Sequence, residues 1–139
     1  MDAEDDYDYF DHDADVGVVG RGDSVESAFV SAARATFALT CDIASVVPRE
    51  RVEVAFEESD PEFALVAWLN ALLAAASERG LALGRFELAR EGERWRGTAW
   101  GEPWRDDIER RTQVKGATLT MLEVRERRGG WEARCVVDV

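Results

Sequence analysis

The segment from Asp60 to Gly80 places the strongest constraint on the fold. Asp60-Pro61 reads as a helix start, with Asp as N-cap and Pro at the first helical position, where its missing N–H costs nothing. The residues that follow are apolar on nearly every side of a helix running to about Glu78 and stopping at Gly80. A helix with so little polar face needs cover from other elements, so it is expected to be central and heavily buried. Trp68 and Leu72 should supply much of the core, and Asn70 is the lone polar interior candidate, read as a structural amide with partners of its own. The apolar stretch 63–76 is shorter than a membrane span and is interrupted by Asn70, so no membrane association is expected.

A second helix precedes it. Val25, Ala28, Phe29, Ala32, Thr36 and Leu39 form a stripe at helical spacing, introduced by Asp23 and Glu26 at capping-box separation and ending near residues 40–42. Elsewhere the pattern is that of strands. Residues 7–10 and 16–19 flank an acidic turn, residues 52–56 alternate, and 85–90, 95–102, 113–127 and 131–138 make the second half β-rich. Turns are expected at Gly92-Glu93 and Gly129-Gly130. In the last strand Trp131, Ala133, Cys135 and Val137 share one face, and Glu132, Arg134, Val136 and Asp138 the other. The expected fold class is α+β: a two-layer sandwich of two helices on one face of a largely antiparallel sheet. The 139 residues suffice for a single domain, with residues 1–6 as a flexible acidic tail.

Charge narrows the function. With 29 acids against 17 bases the net charge is -12, which argues against unaided binding of nucleic acid, where cations must replace phosphate counterions. Lys115 is the only lysine and His12 the only histidine. An acidic, Arg-rich surface suits a salty cytoplasm, where self-repulsion is screened. The two cysteines are too few and too far apart for a disulfide framework or zinc site, and Cys135 reads as a buried thiol. The acidic N-terminus is not a signal peptide, so the expected location is cytoplasmic. There is no phosphate loop, dinucleotide fingerprint, HExxH or nucleophile elbow, and the tryptophans do not line a basic groove. The residues point to a helper rather than a catalyst.

Two acidic places remain to be explained. Asp11-His12-Asp13-Ala14-Asp15 runs into Val16-Gly17-Val18-Val19, and Asp138 lies beside the terminal Val139. If first and last strands meet, Asp15, Asp138 and the Val139 carboxylate would form an oxygen cluster that repels itself unless a cation holds it. Hard divalent ions prefer such ligands, with water or Asp13 completing the set. The spacing alone is weak evidence in a chain so rich in Asp, and by itself it favours plain solvated acids. His12 reads first as a hydrogen-bonded turn residue orienting the acidic loop; a lone histidine is a poor zinc site. Lys115 offers a compact, mobile charge for phosphate or carboxylate, or is simply retained by chance.

Several segments carry a family resemblance: Phe10-Asp11-His12-Asp13-Ala14-Asp15-Val16-Gly17; the 24–37 helix with Glu26, Ala28, Phe29, Ala32 and Ala33; and Leu65-Val66-Ala67-Trp68-Leu69-Asn70. Gly101-Glu102-Pro103, Thr112-Gln113-Val114-Lys115-Gly116-Ala117-Thr118 and the final Val137-Asp138-Val139 follow in order. Over residues 7–139 the chain resembles archease, the small partner of RtcB-type RNA ligases. The resemblance implies a protein cofactor that promotes guanylylation of the ligase by GTP, and its multiple turnover, in tRNA splicing or RNA repair. It implies a divalent metal, calcium first with magnesium or manganese as alternatives, on Asp15, Asp138 and Val139. It also implies contact of Lys115 with the phosphates or the partner site, with His12 and Asp13 as surrounding residues. The chain departs from the family at Asp13, where Thr is usual, and at Leu119-Thr120, where Tyr-His is usual. It also lacks the histidine after Pro103.

Two other functions fit the same acids: a metal-dependent phosphohydrolase or nuclease, and a general chaperone or adaptor. The salt adaptation has its own test. The unfolding midpoint is expected to fall as salt is diluted, and an unchanged midpoint in low-salt buffer removes that explanation of the composition.

Overall fold

The computed structural model describes residues 6–139, so the expected tail lies outside the described residues except for Asp6. In chain order the elements are β1 (Tyr7–His12), β2 (Asp15–Gly22), α1 (Val25–Ala38), a 3-10 turn (Ile43–Ser45), β3 (Glu50–Glu57), α2 (Pro61–Arg79), β4 (Leu81–Glu91), β5 (Arg94–Pro103), β6 (Gly116–Ala117), β7 (Glu123–Arg127) and β8 (Gly130–Asp138). The fold is α+β, with two helices packed on antiparallel sheets.

Helix α2 begins and ends as its sequence dictates. The Asp60 carboxylate accepts from the Glu62 N–H, Pro61 opens the first turn, and Gly80 closes the helix at φ 64, in the left-handed region favoured by glycine. Its burial is narrower than expected. Ala64, Leu65, Trp68, Leu69, Leu72 and Ala76 form one buried stripe, while Phe63 is 49% exposed. On the remaining faces Val66, Ala67, Leu73 and Ala75 are only partly covered. Asn70 is the expected structural amide: it donates to the Ala117 carbonyl at 3.2 Å and accepts from the Ala117 N–H at 2.8 Å.

Helix α1 is capped one residue later than the spacing of Asp23 and Glu26 suggested. Ser24 accepts from the Ser27 N–H, and the Ser27 hydroxyl accepts from the Ser24 N–H. Serine supplies both halves of the reciprocal cap, so the two acids are not needed for it. The helix ends at Ala38 with Leu39 as C-cap, slightly before the expected 40–42.

The strands form two sheets where one was expected. One sheet runs β1-β2-β8-β6, with β7 also pairing with β8; the other runs β3-β5-β4. Alternation within a strand reports its faces but not its partner, so the division was invisible to the pattern. Both helices touch strands of both sheets, and one continuous core joins them. The segment 113–127 also departs from a continuous strand. Ala117 lies opposite Val137 and Glu123 opposite Arg134, so six positions on this side face three on β8. The surplus is absorbed in a loop where Met121 takes φ 55, while Thr118 and Thr120 keep backbone bonds to Val136.

Trp68 ties the layers together. Its indole N–H donates to the Phe29 carbonyl of α1 at 2.9 Å, and its ring fills the space over Gly97 of β5. Phe29 stacks on Trp95 at 5.2 Å between centroids, and Trp95 stacks on Phe56 at 5.9 Å. This aromatic column links α1 to the three-stranded sheet. A Cβ at Gly97 would overlap the Trp68 ring. Gly97→Ala is therefore expected to cost about 1–3 kcal/mol, read as a lower urea midpoint at unchanged slope.

On the outer face of the larger sheet, buried Glu132 collects three arginines. Arg21 donates to it at 3.2 Å, and Arg127 and Arg125 lie at 3.3 and 3.6 Å. Burial opposes ionisation of Glu132, but the Arg21 hydrogen bond and the charges of Arg127, Arg21 and Arg125 outweigh it and hold the carboxyl below its ordinary 4.5. Because the folded value is depressed, the stabilisation is complete above about pH 4.5 and is lost as the pH falls through the lowered value. Glu132→Gln should flatten that acid limb in stability measured against pH; an unchanged limb would assign it to other carboxylates.

Candidate functional site

The turn between β1 and β2 meets the end of β8 at one end of the larger sheet. β1 and β2 form a hairpin in which His12 lies opposite Asp15. The intervening Asp13 takes φ 53, a left-handed conformation that a short polar side chain tolerates. β2 then pairs with β8 from Val16 opposite Val137 to Gly22 opposite Trp131. One step beyond the first of these pairs, Asp15 and Asp138 stand across from each other. Period two puts His12, Asp15 and Asp138 in a single row on the face opposite the core. On the other edge of β8, Gly116 lies opposite Asp138, and the Lys115 N–H donates to the Asp138 carbonyl at 2.8 Å.

The backbone N–H of Val139 donates to Asp15 Oδ1 at 3.2 Å, which fixes the last residue beside the first hairpin. Asp15 and Val139 are half-buried, and Asp138 is exposed. Of the expected set, Asp15 is bonded to the Val139 backbone, Asp138 follows one register step beyond Val137, and Lys115 reaches Asp138 through its backbone N–H. Asp13 is turned outward: its side chain is 93% exposed and approaches only His12 Nδ1, at 3.9 Å. Among the described residues no three His, Cys, Asp or Glu side chains are grouped so as to hold an ion. The side-chain oxygens of Asp15 and Asp138 are hard donors of the kind that calcium, magnesium or manganese prefers. An acceptor oxygen of Asp15 already engaged by a backbone N–H is oriented before any ion arrives.

A cavity of about 760 Å³ lies between α2, the end of α1 and residues 110–115. Lys115 lines it together with Arg110, Arg111 and Trp104. The segment is held against α1 by the Arg111 and Thr112 N–H groups, which donate to the Thr40 and Leu39 carbonyls at 2.9 Å each. Sequence reasoning singled out Lys115 but passed over Arg110 and Arg111. The available signal was their adjacency, which places three cations within six residues of an otherwise acidic chain.

Other singled-out residues have structural places. Glu102 is buried, accepts from the Val47 N–H and is paired with Arg105 at 2.9 Å. The Arg105 hydrogen bond, followed by the Val47 N–H, lowers its carboxyl from the ordinary value. Cys41 and Cys135 are free, buried thiols, and burial pushes Cys135 up to about 12. No helix among the described residues is long and apolar enough to cross a membrane.

This arrangement of helices and antiparallel sheets recurs in solved structures. The solution structure of Methanobacterium thermoautotrophicum protein 1598 matches with a TM-score of 0.80 and 28% identity, covering 96% of this chain and 99% of that one. The crystal structure of a Thermotoga maritima archease, described as a possible chaperone, matches with a TM-score of 0.66. At 21% identity over 94% of each chain, that likeness speaks to the fold alone. The chain belongs to the Archease protein family (MTH1598/TM1083), which it matches over residues 7–139. It is 35% identical to the Aeropyrum pernix protein archease over 93% of this chain and 94% of that protein. To the Sulfolobus acidocaldarius protein archease it is 33% identical, over 96% and 98%.

Proposed function

We propose that this archease-family chain is a cytoplasmic protein cofactor, without catalytic activity of its own, that promotes guanylylation and repeated turnover of an RtcB-type RNA ligase in tRNA splicing or RNA repair. The observation that carries the reading is the Val139 N–H on Asp15 Oδ1 in the row shared with Asp138, with Lys115 bonded to the Asp138 backbone. In this reading Asp15, Asp138 and the Val139 carboxylate hold a divalent cation, calcium first among them. When bound, that cation supplies positive charge against phosphate oxygens.

The chain's own residues do the positioning. The sheet register sets Asp15 against Asp138, and the Val139 N–H orients one Asp15 oxygen. The exposed Lys115 side chain reaches outward from the same edge, where it meets GTP phosphates only once the ligase presents them. His12 and Asp13 border the row and set its field. The nucleophile belongs to the ligase, and RNA is bound there too, in keeping with the net charge of -12 on this chain.

The test combines activity with a direct binding readout. Asp15→Asn and Asp138→Asn are each expected to reduce stimulation of ligase guanylylation by about tenfold or more, the loss of one charged contact of roughly 1.4 kcal/mol or above. For the unaltered chain, calcium at about one hundred times its dissociation constant should add about 2.7 kcal/mol of stability, and the two variants should lose that gain. Full stimulation by both variants would reject the activator role of the row. Phosphate release or RNA cleavage by the chain alone would favour the hydrolase, and suppression of aggregation of unrelated proteins without effect on the ligase would favour the chaperone.

A further inference from the structure

We propose that the cavity beside Lys115 is a docking groove for an acidic segment of a partner protein that carries bulky apolar side chains. Its floor is alkyl and aromatic, formed by Phe37, Leu73, Ala76 and Leu81. Its rim carries Arg110, Arg111 and Lys115, all exposed. No Asp or Glu lines it, although the chain has 29 of them. Three other cavities each mix cations with carboxylates, such as Glu57 and Glu93, Glu53 and Glu87, or Asp23 and Glu132.

Among the described residues the rim cations also meet no carboxylate, although Arg110 lies over the Trp104 ring. Arg105, close by in the chain, is by contrast held by both Glu102 and Asp107. Guanidinium groups pair with carboxylates through two parallel hydrogen bonds, so two adjacent arginines select acidic side chains. An apolar floor between them takes the anchoring side chains that dominate peptide affinity.

A nucleic-acid strand fits the groove less well. Strands are held by stacking of bases on aromatic faces, but Arg110 already lies 4.1 Å from the centroid of the Trp104 ring. A long polyanion is also opposed by the net charge of -12, while a short peptide segment touches only the groove itself. This inference requires neither a bound metal nor the ligase, so it stands or falls apart from the activator reading.

The experiment is fluorescence anisotropy with a panel of short fluorescein-labelled peptides in which Asp or Glu alternates with Leu, Phe or Trp. The unaltered chain should bind members of the panel, and replacing their acids with Lys or their apolar residues with Ser should abolish binding. R110E/R111E should weaken binding by about tenfold or more. A second variant, Ala74→Glu, sets a carboxylate at an exposed helical position lining the groove and should weaken it in the same way. Circular dichroism should show both variants folded. Absence of binding across the panel at millimolar chain would overturn the proposal. Equal affinity of the folded variants, or tighter binding of labelled oligouridylate than of any peptide, would do the same.

Discussion

The pairing of β8 with β2 is the interaction on which the rest of the structure depends. It joins the last strand to the first hairpin over seven registered positions, and β6 and β7 share the opposite edge of β8. A shift of one residue would turn Ala133, Cys135 and Val137 outward and bury Arg134 and Asp138 instead. The apolar face of Ala133, Cys135 and Val137 resists that slip through burial, and the arginines around Glu132 resist it through charge. The row of His12, Asp15 and Asp138 follows from the register without further device.

The helices solve a separate problem, that of joining two sheets which share no strand. Trp68 does so from α2 by reaching the Phe29 carbonyl of α1 and the bare backbone of Gly97 at once. The stack of Phe29, Trp95 and Phe56 continues the link into the smaller sheet. α1 also approaches β2 so closely that a side chain at Gly20 would strike the helix backbone at Ala28 and Ala32. Small residues on α1 and glycine on the strand therefore set the depth of the core.

Much of this was legible in the residues, and the parts that were not have common causes. Asp60-Pro61 and Gly80 announce α2 because capping chemistry is local, and the amide role of Asn70 follows from the cost of burying it unpaired. The α+β class follows from two periodicities in one chain. The division into two sheets does not, because partner choice is settled by tertiary contacts that alternation cannot report. The bulge between β6 and β7 was hidden for a similar reason: residues 113–127 carry strand formers, but β8 offers too few positions to pair them all. At the candidate site, the expected cluster was conditional on the first and last strands meeting, which they do through β2 and β8, with the Val139 N–H on Asp15. The groove escaped notice because its floor comes from α1, α2 and β4, while only its rim is contiguous in sequence.

The backbone bonds from Arg111 and Thr112 to Thr40 and Leu39 have a mechanical consequence. They satisfy carbonyls that the end of α1 would otherwise leave to solvent, so the loop serves as the helix's cap. Lys115, three residues further on, is anchored in turn to the Asp138 backbone. The end of α1 and the final residues of β8 are thus tied by backbone hydrogen bonds to one short segment of chain, residues 111–115.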